Sequence, residues 1–186
     1  MLDVGCGTGR FAAALAERGS RVWGVDASEE MVALARERGV NAKVARAEAL
    51  PFKQAWFDRA VAVLVIHVID RPTAFAELAR VLADDGRLGI GTFDHAQFDA
   101  YYLSRYFPSL AEIDRARFPT REGLEEELRS AGYSPRTIPL HQRAVLSRDW
   151  VLERIRGRFI STLQLLDEDE FAEGLTKAER ELPAEV

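Results

Sequence analysis

Three alternating glycines stand almost at the start of the chain, in Gly5-Cys6-Gly7-Thr8-Gly9. Leu2-Asp3-Val4 before them reads as the end of a strand, and a helical pattern opens at Arg10. Glycines so placed let the backbone turn tightly and let a ligand approach the main chain. The helix start that follows offers free N–H groups and partial positive charge to an anion. Asp26 lies 17 residues beyond Gly9, at the end of the run RVWGVD. A carboxylate there can accept both hydroxyls of a ribose. Strand, glycine loop, helix, strand and acid together describe a unit for holding a nucleoside. The loop reads G-x-G-x-G, not the G-x-G-x-x-G of dinucleotide enzymes, and it lacks the Lys-Ser/Thr of a phosphate-binding P-loop. Asp3 would repel a pyrophosphate but could hold an ammonium group. A ligand bearing both an amine and a carboxylate fits better than a dinucleotide, and a dinucleotide oxidoreductase is disfavoured on the same grounds.

Other residues able to do chemistry are scattered. His67 follows an apolar run, where it reads either as a general base or substrate contact, or as a capping or packing residue. Asp94 and His95 follow the next strand, and Tyr101, Tyr102, Tyr106 and Phe107 come soon after. This aromatic cluster could lid an acceptor pocket, or could be the buried side of a helix carrying Phe98, Tyr102 and Arg105. His141 receives no role. Arg154, Arg156 and Arg158 read as a solvated helical face beside Glu153 and the acidic stretch Asp167 to Glu170. Three separated histidines and one cysteine make no metal-ligand set, so no metal is expected. Cys6 is expected to be a small residue packed in the loop.

These groups need elements to position them. Arg10 to Arg18 reads as a helix presenting Phe11, Leu15 and several alanines on one face, with Gly19 as its stop. Arg21 to Asp26 reads as a buried strand, and Ser28 as the N-cap of a helix running to Gly39. A weaker strand covers Asn41 to Ala45, and the strongest covers Arg59 to Ile66. A helix over Thr73 to Leu82 and a strand over Arg87 to Phe93 follow. This alternation implies parallel strands with right-handed helical crossovers. Beyond it come an aromatic connection from Asp94 to Pro119, a helix from Thr120 to Ala131, and an extended stretch from Pro135 to Leu146. Ser147 or Asp149 opens a helix in the tail. Asp167 with Glu170 forms a capping box for another. We expect one domain over residues 1–146, with 94–119 as a candidate acceptor-site insertion, and a helical segment over 147–186 belonging to the same domain.

Composition narrows the function further. The chain has 186 residues, 47% hydrophobic and 30% charged, the mix of a globular domain rather than a disordered one. Its net charge of −5 argues against broad contact with nucleic acid or an anionic membrane. No apolar run is long enough to span a bilayer and no signal peptide is visible, so the expected location is the cytoplasm.

The motifs together resemble a known family. LDVGCGTG resembles motif I of the class I S-adenosylmethionine (SAM)-dependent methyltransferases, and VWGVDAS the ribose-holding motif of their second strand. AEALPF (Ala47 to Phe52), followed by Phe57-Asp58, resembles the adenine loop and the lead-in to strand four. ELARVLADDGRLGIGTF resembles the helix and strand-five segment. The resemblance implies a Rossmann-like, doubly wound, mostly parallel α/β sheet with flanking helices and a helical C-terminal tail. It implies that Asp3, Gly5 and Gly7 line the methionine end of SAM and that Asp26 binds the ribose hydroxyls. Ala27 and Met31 would then flank the adenine, Ala47 and Glu48 would lie beside its edge, and Leu64 would offer a backbone carbonyl to its amino group. His67 falls where the family often has a histidine close to the transferred methyl. The implied reaction is methyl transfer to a small-molecule O, N or C nucleophile. No Asn-Pro-Pro-Tyr-type motif follows strand four, which lowers the odds of DNA adenine methylation.

The chain also departs from the family pattern. Arg46 stands where an Asp usually accepts from the adenine amino group, so either Glu48 substitutes or adenine is held by backbone and packing alone. The first strand begins at once, and no C-terminal hairpin strand is evident. Both ends are expected to be short, with weak cofactor binding and an open sheet edge that would allow homo-oligomer pairing. These departures keep a second reading open, a catalytically degenerate interaction or regulatory protein on the same fold.

Overall fold

A strand covered on both faces needs apolar side chains pointing both ways, and β1 (Leu2–Val4) is buried throughout. In the computed structural model, which describes residues 1–141 and 144–186, β1 lies at the centre of a sheet. Its companions are β2 (Trp23–Asp26), β3 (Asn41–Val44), β4 (Phe57–Val63) and β5 (Leu82–Gly91). Among the described residues the order is β3-β2-β1-β4-β5, and every pairing is parallel. Asp3 sits opposite Gly24 on one side and Val61 on the other. The chain reverses direction of travel between β1 and β4, and ligands of open α/β sheets bind at the strand ends of such a switch point. The expected doubly wound α/β architecture is therefore present.

The described residues fall into two compact units, Met1–Phe93 with Arg121–Pro135, and Asp94–Thr120 with Arg136–Val186. In the first, alternation along the strands sorts two hydrophobic clusters. Leu2, Val4, Val25, Ala60 and Ala62 join a cluster with Phe75 and Leu78 of α3 (Arg71–Val81) and Leu128 of α5 (Arg121–Ser130). Cys6 and Ala42 instead join Ala12 of α1 (Arg10–Glu17) and Val32 and Ala35 of α2 (Glu29–Glu37). Phe75 and Leu78 are wholly buried, each removing apolar surface that contributes about 1.5–3 kcal/mol. A bidentate pair of Arg71 with Glu127, at 2.6 and 2.9 Å, joins α3 to α5.

Several boundaries differ from the sequence reading. Phe11 is 44% exposed, whereas Ala12 is the fully buried α1 residue, and Ala13 and the expected Leu15 pack partly buried against the same cluster. The strand expected over Arg59 to Ile66 starts at Phe57 and ends at Val63. The strand expected from Arg87 starts at Leu82, directly after α3, and absorbs Asp84-Asp85-Gly86 as a register irregularity opposite Asp58. Of the stretch read as extended, 135–146, residues 142 and 143 lie outside the described residues, and the described ones form no strand of the sheet.

The second unit is helical. It contains α4 (Leu110–Arg117), α6 (Arg148–Arg156) and α7 (Glu168–Glu181), with short 3₁₀ turns at His95–Gln97, Tyr102–Arg105 and Ser161–Gln164. Leu103, Phe107, Leu110, Ile155 and Leu163 are wholly buried in its core. A Cβ at Gly174 would lie 2.4 Å from the Phe107 ring, so α7 needs glycine there. Ser147 caps α6 as expected. Asp167 caps α7, accepting from Asp169 N at 2.9 Å. The capping box is not completed, because the Glu170 carboxylate accepts instead from Ser109 N at 2.9 Å.

Candidate functional site

The glycine loop leaves β1 and enters α1 through three residues at positive φ, Gly5 (68°), Gly7 (51°) and Gly9 (75°). The three glycines serve different ends. A Cβ on Gly5 would fall 2.4 Å from Val65 Cγ2, and one on Gly9 would fall 2.9 Å from Ala35 Cβ. Both positions are closed by the protein itself. A Cβ on Gly7 would meet nothing within 4 Å, so this face of the loop is open. The loop is held from below by β2: Gly5 N and Cys6 N both donate to Val25 O, at 2.8 and 3.0 Å.

Asp26 turns toward the loop rather than away from it. Its Oδ2 accepts from Gly7 N at 2.8 Å and its Oδ1 from Ser28 N at 3.0 Å. Each carboxylate oxygen has capacity for a further bond, so two oxygens in fixed positions can still receive two hydroxyls. Ser28 in turn caps α2, accepting from Met31 N at 3.2 Å. Asp3 lies behind the loop, 2% exposed, with Oδ2 making no hydrogen bond. Burial pushes its carboxyl from the ordinary 3.8 up to about 7, the Ala12 N–H pulls the other way, and the charge of Asp26 adds to the rise. Such a group is poised to accept a positive charge. Cys6 is buried beside Gly24, and burial first, then Asp3 and Asp26, push its thiol up to about 12.

The remaining candidates surround this centre unevenly. Ala27 is exposed beyond Asp26, and Met31 is half-buried on α2. Ala47 is buried in the main core. Glu48 Oε1 is engaged, accepting from Asp70 N at 2.8 Å and from Arg46 at 3.2 Å. Although burial opposes it, these donors and Glu48's own N–H hold its carboxyl below the usual range. Leu64 takes a left-handed conformation (φ 53°) at the end of β4, with its N donating to Gly91 O at 2.8 Å. A non-glycine residue held there stores strain of the kind concentrated at functional sites. His67 is half-buried in the turn between β4 and α3, two residues past the Val65 that covers Gly5. Val65 itself escaped the sequence reading. Nothing in an apolar run singles out the member that will face a glycine sixty residues earlier.

Other groups prove structural. His95 Nε2 lies 2.9 Å from Phe118 O, and its ring meets Phe98. Asp94 caps the short turn that follows it, accepting from Ala96 N. Tyr106 and Phe107 are buried in the core of the second unit, while Tyr101 and Tyr102 are half-buried. Arg154 is stacked between Trp150 and Phe159, with ring centroids at 4.6 and 4.5 Å, rather than solvated. Arg156 pairs with Glu179, and Arg158 with Glu168. His141 is exposed. Among the described residues no group of three or more His, Cys, Asp or Glu is placed to hold a metal ion, and no helix is long and apolar enough to cross a membrane.

This loop and sheet define a class that comparison with known proteins bears out. A methyltransferase-domain model matches residues 2–90. A SAM-dependent methyltransferase of Thermotoga maritima superposes with a TM-score of 0.61 at 34% identity, over 72% of this chain and 63% of that one. A structure from Anabaena variabilis, named for a methyltransferase of an antibiotic biosynthesis pathway, gives a TM-score of 0.73 at 25% identity, over 97% of this chain and 78% of that one. The O-methyltransferase cnsE of Penicillium expansum is 37% identical over 145 residues, which are 72% of this chain and 51% of that protein. The chain belongs to the class I SAM-dependent methyltransferases. It spans about half the length of the curated relatives it matches.

Proposed function

We propose that the chain binds SAM over the tips of β1 and β2 and transfers its methyl group to an oxygen, nitrogen or carbon nucleophile of a small molecule. The observation that carries this reading is the joint geometry of Gly7, Asp26 and Asp3. An open glycine face, a carboxylate fixed by two backbone N–H groups, and a buried carboxyl oxygen without a partner stand together. They match a ligand with an exposed main-chain contact, a ribose and an ammonium group. SAM supplies a methyl already activated by its sulfonium. Asp26 holds the sugar, Asp3 receives the ammonium and Gly7 admits close backbone approach, while Ala27, Met31, Ala47, Glu48 and Leu64 border the base. Orientation supplies most of the catalysis, and His67 is the candidate for contact with the acceptor or its proton. The O-methyltransferase relative supports oxygen as the acceptor atom. Pairing of Arg156 and Arg158 with carboxylates supports a small molecule rather than nucleic acid as the acceptor.

Calorimetric titration with S-adenosylhomocysteine tests the reading. The wild type binds with one site. Asp26→Ala weakens binding by about 1–3 kcal/mol, the scale of hydrogen bonds lost at a buried acceptor. Gly7→Ala weakens it as well, since the new methyl occupies the open face. Equal affinity in all three proteins would refute the site. A second reading, a degenerate relative that binds no cofactor, draws on Arg46 and on the engaged Glu48 oxygen. It predicts no titration signal from the wild type.

A further inference from the structure

The glycine loop is a chain of flat peptide units, and its hydrogen bonds treat them differently. The Cys6–Gly7 unit is fixed at both ends, because Cys6 O accepts from Gly9 N at 2.9 Å and Gly7 N donates to Asp26 Oδ2 at 2.8 Å. The Thr8–Gly9 unit is fixed at both ends as well. Gly9 N is one end, and at the other Thr8 O accepts from the guanidinium of Arg38, thirty residues on. Between them lies the Gly7–Thr8 unit. Its carbonyl receives only the weak Sγ–H of Cys6 at 3.7 Å, and among the described residues Thr8 N–H has no partner. The N–H groups of Gly5, Cys6, Gly7 and Gly9 are all engaged within the protein, so Thr8 carries the loop donor left for a ligand. It directly follows Gly7, whose outer face is open. Arg38 reaches the loop from a fixed root. It is the C-cap of α2, with its own N donating to Leu34 O at 3.2 Å. A Cβ on Gly9 would meet Ala35 at 2.9 Å and Val40 at 3.0 Å, so the end of α2 abuts the loop. Among the described residues no carboxylate pairs with Arg38, and Thr8 O is the acceptor its guanidinium has.

We infer that Arg38 is a positioning residue for cofactor binding: by holding Thr8 O it fixes the Thr8–Gly9 unit, and so sets the direction in which Thr8 N–H meets the amino-acid end of SAM. The inference rests on the cofactor reading of the same loop. Peptide units are rigid, so two held neighbours fix the one between them. Releasing Thr8 O leaves the Thr8–Gly9 unit on a single bond. Glycines at 7 and 9 offer little steric resistance to its rocking, so the hydrogen bond from Arg38 is what limits the motion. A donor already aimed spares the ligand the cost of ordering it. Asp26 serves the nucleoside end through its own two backbone bonds, so the influence of Arg38 is confined to the amino-acid end.

The test compares S-adenosylhomocysteine with methylthioadenosine, which keeps the nucleoside and lacks the amino-acid end. Arg38→Met weakens S-adenosylhomocysteine binding about fivefold, less than the roughly tenfold or more of a charged hydrogen bond lost outright, because the loop keeps its other bonds. It leaves methylthioadenosine unchanged. Arg38→Lys, which retains a cationic donor, recovers part of the loss. In the ligand-free chain, amide exchange at Gly7 and Gly9, read by NMR, accelerates in Arg38→Met by a similar factor and less in Arg38→Lys. The urea midpoint stays in place, since Arg38 is exposed. Equal S-adenosylhomocysteine affinity in the wild type and Arg38→Met overturns the inference. So does a loss shared equally by methylthioadenosine, or a loss without faster exchange, which would mean that charge alone acts. A wild type that binds neither ligand overturns the cofactor reading and this inference with it, and is told apart from the other outcomes by the missing wild-type signal.

Discussion

Asp3 makes the stability of the chain depend on pH in a direction opposite to that of most paired carboxylates. Its carboxyl is raised from 3.8 to about 7, chiefly by burial. Below about pH 4 the folded and unfolded chains both carry the proton, and burial costs nothing extra. Between about 4 and 7 the unfolded chain releases it while the folded chain keeps it. The folded state then binds more protons, so stability falls as pH rises. A gap of about three pH units at 1.36 kcal/mol each amounts to about 4 kcal/mol, an order-of-magnitude figure, lost by pH 7 and above. Urea denaturation from pH 5 to 8.5 reads this slope. Asp3→Asn, which cannot ionise, flattens it and is more stable than wild type at pH 8 by about 2–4 kcal/mol. The bound ammonium of S-adenosylhomocysteine restores the anion, so binding below pH 7 releases a proton, detectable by calorimetry in buffers of different ionisation enthalpy. A wild-type profile that is flat, or an Asn variant with the same slope, would refute the reasoning.

Three substitutions test other parts of the framework. Gly5→Ala meets both a positive φ and the Val65 methyl at 2.4 Å, and is expected to lower stability by about 2–4 kcal/mol in urea melts. Adding Val65→Gly, which also removes the Val65 Cβ at 2.6 Å, recovers the packing share alone. Leu64→Gly removes the left-handed strain at the end of β4 and is expected to stabilise the chain by about 0.5–1 kcal/mol, read as a higher urea midpoint. Glu127→Gln breaks the bidentate pair with Arg71 between α3 and α5, with an expected loss of about 1 kcal/mol that shrinks at high salt.

The parts legible in the sequence were those in which a residue type performs its task alone. Three glycines at positive φ, a serine cap at Ser28 and alternating apolar runs each announce a local conformation, and the β-α order follows from them. The illegible parts were set by partners far away. The fit of Gly5 under Val65 spans sixty residues, and the diversion of Glu170 to Ser109 spans 61. Phe11 and Ala12 are neighbours on α1 that point about 100° apart, and the expectation took the larger apolar side chain for the core where the structure buries the smaller one. The aromatic cluster was ambiguous because Tyr106 and Phe107 look alike in sequence whether they line a cavity or fill a core.

Cys6 is the sole sulfhydryl in the chain, and it sits in the loop with its sulfur turned inward against β2. With the thiol held at about 12, almost none of it is present as the reactive thiolate at neutral pH. Maleimide dyes and alkylating reagents should therefore pass it by. A cysteine introduced elsewhere on the surface becomes the single attachment point for a fluorophore or spin label, with the native residue left in place.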